Sequence, residues 1–374
     1  MNAQPRIMVA MSGGVDSSVA AALLVEQGYD VVGAFMKNWD GCDWKRERRD
    51  AMRVASVLGI PLHTFDFERE YRARVHAYLV EEYRAGRTPN PDVLCNSEIK
   101  FDLLLKATHD LDCAEMATGH YARVRRDGSL TRLLKGVDPK KDQSYFLCRL
   151  VQAQLTRTQF PIGALTKIEV RRRARALGLA TADKKDSQGL CFVGKVDMAL
   201  FLKSAIDVRP GKIVTTSGKV VGTHDGVAFY TIGQRKGLGI GTEEPYFVVE
   251  RRHHTNELVV AHEGDAALYR TEIKAADVQW ISGNAPTFPF SCTAQIRYRQ
   301  QDQNCTIVQK VVGITVTFDE PQRAVAPGQF MVFYDGDELI GSGVINYSHH
   351  TMKQDSIILE TGKFLALRKK KSSM

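Results

Sequence analysis

The residues with the plainest chemical purpose lie near the start of the chain, in Met8-Val9-Ala10-Met11-Ser12-Gly13-Gly14-Val15-Asp16-Ser17-Ser18. An apolar run leads into two glycines, then into a hydroxyl pair that opens an apolar-periodic segment. Ile7 to Met11 reads as a buried strand. Ala20, Leu23 and Leu24 recur at helical spacing, and Gly28 falls where a helix would stop. Ser12 to Ser17 is then a loop between strand and helix. Such a loop turns free backbone N–H groups and the positive end of a helix toward one point, which suits an anion. The glycines let the backbone approach it closely. It is not a Walker A loop, because no Gly-Lys-Ser/Thr follows, and the G-x-G-x-x-G dinucleotide spacing is missing. The plainer reading is a serine-capped turn.

Two cysteines stand apart from the other five. Cys95 follows the proline-rich Arg87-Thr88-Pro89-Asn90-Pro91-Asp92 and precedes a helical segment opening at Glu98. Cys191 follows Ser187-Gln188-Gly189, with Lys184 and Lys185 nearby. Loop positions near helix starts are where a thiolate is stabilised and reached. Their setting alone does not separate them from ordinary buried cysteines. Cys113 and Cys148 sit in apolar company and read as inert. Cys42, Cys292 and Cys305 have no informative setting.

The elements that must position these residues alternate. Val31 to Met36 and Ile60 to Phe65 read as strands, Trp44 to Leu58 and Phe67 to Ala85 as helices stopped by Gly59 and Gly86. That βαβα order predicts a parallel sheet with helices on both faces and ligands at the carboxyl ends of its strands. Prolines on both sides of Asn90 argue against helix there. Cys113 to Thr118 is a further strand, ending at Gly119-His120-Tyr121, and Asp127-Gly128 is a hairpin turn. Thr166 and Glu169 form a capping box. The helix they open is basic, with Lys167, Arg171, Arg172, Arg173 and Arg175. A solvated face and a phosphate-contacting helix suit it equally. From about Asp207 short β-like runs separated by turns predict small β domains. The expected units are a catalytic domain over 1–206, a central β domain over 207–271 and a C-terminal β-barrel over 272–374. The fold class is α/β, with a Rossmann-like parallel sheet first.

Composition is that of a soluble globular chain, with 374 residues and a net charge of +8 that favours a polyanionic partner. No apolar run approaches a membrane span, and a first strand within about ten residues leaves no room for a signal peptide. The 7 cysteines include no C-x-x-C pair, which argues against a disulfide framework and a zinc site and for a reducing cytoplasm.

The S-G-G-x-D-S-S string resembles the pyrophosphate loop (PP-loop) of the ATP pyrophosphatase superfamily. Beyond it, nearly the whole chain resembles the tRNA-specific 2-thiouridylases. The marks are that string, Phe35-Met36-Lys37-Asn38-Trp39, Thr88-Pro89-Asn90-Pro91-Asp92-Val93-Leu94-Cys95-Asn96, Ala117-Thr118-Gly119-His120-Tyr121, Lys141-Asp142-Gln143-Ser144-Tyr145-Phe146, Asp186-Ser187-Gln188-Gly189-Leu190-Cys191-Phe192 and Tyr230 to Ile240.

The resemblance implies that ATP adenylates the C2 carbonyl oxygen of the wobble uridine, at position 34, of certain tRNAs, those for Lys, Glu and Gln. A persulfide then delivers sulfur, and AMP leaves. It implies that Cys191 bears the persulfide, that Cys95 is the second catalytic cysteine, and that a disulfide between them follows sulfur release. Asp92 matches a residue at the target base. ATP contacts carry over to Ala10, Met11, Ser12, Gly13, Gly14, Val15, Asp16, Ser17, Met36 and Gly119. Contacts to tRNA carry over to Asn90, Pro91, Asp92, His120, Lys141, Asp142, Gln143, Arg297, Tyr298 and Gln329. Mg2+ is expected with ATP, its ligands unassigned. A persulfide relay protein or cysteine desulfurase is the implied sulfur source. One departure is the segment after Trp39, here short and rich in Lys45, Arg46, Arg48 and Arg49, which reads as a variable surface loop. The competing readings are another PP-loop synthetase, which would not need the two cysteines, and a non-catalytic RNA-binding protein, which would not need the loop.

Overall fold

The computed structural model describes residues 5–41, 43–186, 205–206 and 209–346. Cys42, Cys191, the helix expected through Phe201 and Leu202, the strand expected at Ser356 to Leu359 and the basic tail Arg368 to Lys371 lie outside the described residues.

The first sheet has five parallel strands in the order β3-β2-β1-β4-β7. They are β1 (Arg6–Ala10), β2 (Asp30–Lys37), β3 (Leu62–Asp66), β4 (Glu115–Thr118) and β7 (Thr158–Gln159). Alternate residues of β1 enter different cores. Met8 and Ala10 pack with Val32, Ile99 and Met116, while Ile7 and Val9 pack with Val19, Val54 and Val170. A strand covered on both faces must read as a continuous apolar run, as this one does. The order reverses beside β1, so the crevice at its carboxyl end is where this architecture binds ligands.

Two helices flank that crevice. Helix α1 (Val15–Glu26) starts directly after the glycine loop. Helix α2 (Trp44–Leu58) is capped by Asp43, whose side chain accepts from the Arg46 N–H. It stops at Gly59, whose φ of 67° is the left-handed conformation a helix end requires. Lys45 to Arg49 therefore form the first turns of the helix read over Trp44 to Leu58, and not the variable surface loop that the departure from the family suggested. Glu68 to Arg84 is helical with a π-helical turn at Arg72–His76.

The expectation of no helix around Asn90 needs correcting. Pro91–Leu94 is a helical turn that continues as π-helix Cys95–Leu104. Pro91 occupies the first helical position, where its missing N–H costs nothing, and Asn90 caps the turn. Cys95 is thus on a helix and fully buried, not on a loop.

Two β units follow. The sheet β10-β11-β8-β9 comprises β8 (Gly211–Thr215), β9 (Val220–His224), β10 (Tyr246–Arg252) and β11 (Glu257–His262). Strands β12 (Tyr269–Trp280), β13 (Phe290–Gln295), β14 (Gln303–Gln309), β15 (Ile314–Arg323), β16 (Phe330–Asp335) and β17 (Glu338–Ile345) pair antiparallel. The β12–β17 pairing closes them into a six-stranded barrel.

The barrel is fused to the first sheet's core. Strand β16 sends Met331 and Phe333 into the barrel and Phe330, Val332 and Tyr334 into the core that holds Met8 and Cys95. Its unbroken apolar run follows from burial of both faces, and each ring contributes about 2 kcal/mol on burial. The hairpin β5 (Ala122–Asp127) and β6 (Leu130–Lys135) extends the barrel sheet, with Leu134 opposite Glu338 and Leu133 opposite Leu339.

Candidate active site

The loop at the end of β1 is held by its own atoms. Ser17 Oγ accepts from the Ser12 N–H at 3.2 Å, and Ser18 Oγ donates to the Gly14 carbonyl at 2.7 Å. Gly13 has a φ of +75°, and a Cβ there would lie 2.2 Å from the Glu47 carbonyl oxygen. Glycine is required both for the turn and for the close approach of α2. Across the crevice, a Cβ on Gly119 would lie 2.5 Å from the Ser17 backbone nitrogen. Ala10, Met11 and Met36 are buried beneath the loop at the ends of β1 and β2.

Four cationic side chains meet the carboxylates around this loop. Lys167 Nζ donates to both oxygens of Asp16, at 2.8 Å each, and pairs with Asp186 at 2.7 Å. Tyr121 Oη also donates to Asp16, at 2.7 Å. Lys184 Nζ donates to the Gly13 carbonyl, Glu47 and Asp50 at 2.9, 2.8 and 2.6 Å. Lys184 is therefore engaged with the loop and α2. Asp186 is also paired with Lys141 at 2.6 Å and Arg171 at 3.0 Å. Burial pushes the Asp186 carboxyl up, but the hydrogen bonds from Lys141 and Lys167 outweigh it and hold it at about 2. The basic helix Lys167–Ala176 is tied down internally, since Arg173 faces Glu26 and Arg175 pairs with Asp183. Its Thr166–Glu169 capping box is formed as the sequence suggests.

A second cluster lies on the helix that bears Cys95. Asn96 donates to the Phe146 carbonyl, and the buried Lys100 ammonium donates to Asn96 Oδ1 at 2.8 Å. Lys100 Nζ also lies 3.3 Å from His120 Nε2, and His120 Nδ1 lies 2.7 Å from Thr118 Oγ1. An ammonium only donates, so Nε2 is the acceptor and the ring proton sits on Nδ1, facing Thr118. Burial, and secondarily the Lys100 charge, holds His120 well below the usual imidazole range, so it is neutral. Burial pushes the Cys148 thiol up to about 12 and the Cys113 thiol up as well, matching their inert reading.

Gly119-His120-Tyr121 joins the clusters. Gly119 abuts Ser17, His120 faces Lys100, and Tyr121 reaches Asp16 through its hydroxyl. The Tyr121 N–H donates to Gln143 Oε1, and the Gln143 N–H returns to the Tyr121 carbonyl. Asp142 accepts from the Gly136 N–H and from Ser144. Burial raises its carboxyl above the ordinary value, against those hydrogen bonds.

The β units complete the second cluster. Gln329 Nε2 donates to the carbonyls of Thr88 at 2.8 Å and Pro89 at 3.1 Å, holding the loop that leads to Asn90, Pro91 and the half-exposed Asp92. Arg251 donates to the Gly86 carbonyl and Thr88 Oγ1. Tyr298 packs against Phe146, their rings tilted by 49° with centroids 4.3 Å apart. Arg297 lies at a separate joint, donating to the carbonyls of Ile232 and Ala324 at 2.6 Å each.

Among the sequence-derived residues, those of the ATP set converge on the crevice. Asn90, Pro91, Asp92, Cys95, His120, Gln143 and Gln329 lie in or against the second cluster. Lys141 joins the Asp186 cluster, while Asp142 braces its own loop. Sequence reasoning named Lys167 only within the basic run, Tyr121 and Asn96 only within motifs, and did not single out Lys100 and Arg251. Lys100 and Asn96 stand at i and i+4 within one helix, a spacing that was visible; Arg251 carried no such signal. No group of three or more His, Cys, Asp or Glu among the described residues could hold a metal ion, and no described helix is long and apolar enough to cross a membrane.

A glycine loop at the switch point of a parallel sheet, facing Asp16 and its cations, defines a PP-loop nucleotide-binding protein. The sequence matches the tRNA methyl transferase HUP domain over residues 5–195, the PRC-barrel domain of that family over 199–262 and an aminomethyltransferase beta-barrel domain over 270–345. The tRNA-specific 2-thiouridylase MnmA 2 of Geobacillus kaustophilus is 51% identical over 359 residues, 92% of this chain and 96% of its own. The tRNA-specific 2-thiouridylase MnmA of Lactococcus lactis subsp. cremoris is 49% identical over 368 residues, 94% and 97% of the two chains. A U34-tRNA thiolase from Methanococcus maripaludis, 18% identical, covers 50% of this chain and 60% of its own at a TM-score of 0.34, too slight a likeness to carry an argument. The domain description speaks of methyl transfer, but the whole-length relatives are thiouridylases and decide the matter. This chain belongs to the tRNA-specific 2-thiouridylase family.

Proposed function

We propose that the protein replaces the C2 oxygen of the wobble uridine of tRNA with sulfur, at the expense of ATP. The observation that carries this reading is the meeting, at Gly119-His120-Tyr121, of an anion-binding loop and the helix that bears Cys95. The loop Ala10–Ser17, with Met36 and Gly119, binds ATP. The C2 oxygen attacks the α-phosphorus, the bond to pyrophosphate breaks, and a poor leaving group becomes AMP. The terminal sulfur of a Cys191 persulfide attacks C2, and AMP departs. The Cys95 thiolate then attacks the inner Cys191 sulfur. The S–S bond breaks, its electrons stay with the sulfur on the base, and a Cys95–Cys191 disulfide remains for an outside thiol to reduce.

Asp92, in the first turn after the Asn90 cap, stands at the target base as acid or base. The target base leaves its stack to reach such a site. Asn90, Pro91, His120, Lys141, Asp142, Gln143, Arg297, Tyr298 and Gln329 form the tRNA-facing set, in some cases by holding backbone that the RNA meets. Magnesium bound with ATP would supply charge neutralisation on the phosphates; its protein ligands are unassigned, and Asp16, the carboxylate at the loop, is engaged by Lys167 and Tyr121. The three units are 1–206, 207–271 and 272–374. The substrates are tRNAs for Lys, Glu and Gln, and the sulfur comes from a persulfide relay protein or cysteine desulfurase in a reducing cytoplasm.

Nucleoside analysis of tRNA from cells with and without the protein tests the reading. Loss of 2-thiouridine derivatives is expected on deletion; an unchanged level overturns it.

A further inference from the structure

We propose that Lys167 is a phosphate-contacting residue of the ATP site and that Asp186 positions it there, an inference that rests on the reading of Ser12–Ser17 as an ATP loop. Asp16 lies in the first turn of α1, a favourable place for a carboxylate beside a helix N-terminus. It is an unfavourable neighbour for an incoming polyphosphate, which meets it as a like charge. Lys167 answers that charge directly, with Nζ 2.8 Å from each Asp16 oxygen.

The ammonium has three donors. Two point to Asp16 and one to Asp186, so its position is defined on both sides. Lys141 and Arg171 bind Asp186 in turn, which makes that carboxylate an anchor. The Lys167 backbone is set by the Thr166–Glu169 capping box, and its side chain is only 11% exposed. A phosphate oxygen at the loop can replace one Asp16 oxygen on Nζ while Asp186 keeps hold of the ammonium. Lysine suits this because it is a compact point charge that does not require a bidentate partner. Lys167 is thus the one member of the basic run Lys167 to Arg175 whose charge is aimed at the loop.

The test is calorimetric binding of a non-hydrolysable ATP analogue to the full chain without tRNA. Lys167→Gln is expected to raise the analogue Kd at least about tenfold, the loss of a charge-assisted hydrogen bond. Lys167→Arg keeps the charge and stays within about threefold of wild type, and tRNA affinity changes less than about twofold in both. Asp186→Asn, which leaves the Asp16 pair intact, raises Kd severalfold, and Asp186→Glu restores it. Wild-type analogue affinity in Lys167→Gln, or an equal loss of tRNA affinity, overturns the assignment of Lys167. Wild-type affinity in Asp186→Asn overturns the positioning role and remains decisive if Lys167→Gln does not fold. Failure of the wild-type protein to bind the analogue overturns the ATP reading itself, a separate result.

Discussion

The two halves of the site are built in opposite ways. The loop half is local. Ser12 and Ser17 bond to each other, Ser18 bonds to Gly14, and Gly13 makes the turn, all within seven residues. The thiol half is assembled from a distance. On the helix that bears Cys95, Asn96 meets Phe146 and Lys100 meets His120, while Tyr298 lies against Phe146 and Gln329 and Arg251 hold Thr88 in the loop before it. The turn of the loop is made by adjacent residues, even though α2, Gly119, Lys167 and Lys184 then close around it. A cluster spanning some 240 residues exists only when the barrel is docked. Nucleotide binding and sulfur transfer should therefore fail separately.

The largest separation is expected from the cysteines. Cys191→Ser and Cys95→Ser should each abolish 2-thiouridine formation while the single-turnover release of pyrophosphate stays near the wild-type rate. A mass-spectrometric nucleoside assay beside a pyrophosphate assay checks both, and full thiolation by either variant would join the halves again. Gly13→Ala should break the other half. Its Cβ meets the Glu47 carbonyl at 2.2 Å in a left-handed conformation, at a cost of roughly 3 kcal/mol by denaturant melts, with ATP binding lost.

Gln329→Leu addresses the assembled half. It removes two hydrogen bonds to the Thr88 and Pro89 carbonyls and should lower stability by about 1–2 kcal/mol. Thiolation should fall severalfold with analogue binding unchanged; an equal loss of ATP affinity would show that the halves are coupled. The smallest effect concerns acid. The folded Asp186 carboxyl is depressed to about 2 from 3.8. Its contribution is complete above about pH 4 and is lost as pH falls from 4 to 2. Asp186→Asn should lack that part of the acid limb in denaturation curves at pH 5, 4 and 3, and identical limbs would remove the ion-pair cluster from the stability account.

Much of this was legible in the residue order. β1, α2 with its Gly59 stop, the Asp127-Gly128 hairpin and the Thr166–Glu169 box follow from periodicity and caps, which act between near neighbours. The helix at Pro91 was misread because proline was taken as a breaker, whereas at the first helical position it is tolerated. Lys45 to Arg49 carry two readings, the start of the Trp44 to Leu58 helix by periodicity and a variable surface loop by their departure from the family; the helix is what forms, and it packs the Glu47 backbone on Gly13. Lys184, read from sequence as a neighbour of Cys191, which lies outside the described residues, is bound to Glu47 and Asp50.

By itself the sequence determined the nucleotide loop, the alternation that makes a parallel sheet and the family to which the chain belongs. Those depend on bonds, turns and side-chain periods that act over a few residues. Only the tertiary structure decided that Lys167 answers Asp16, that His120 is neutral and hydrogen-bonded to Lys100, and that Gln329 and Arg251 hold the loop before Asn90. Those depend on burial and on polar groups brought within hydrogen-bonding distance across long stretches of chain, and nothing in residue order measures either.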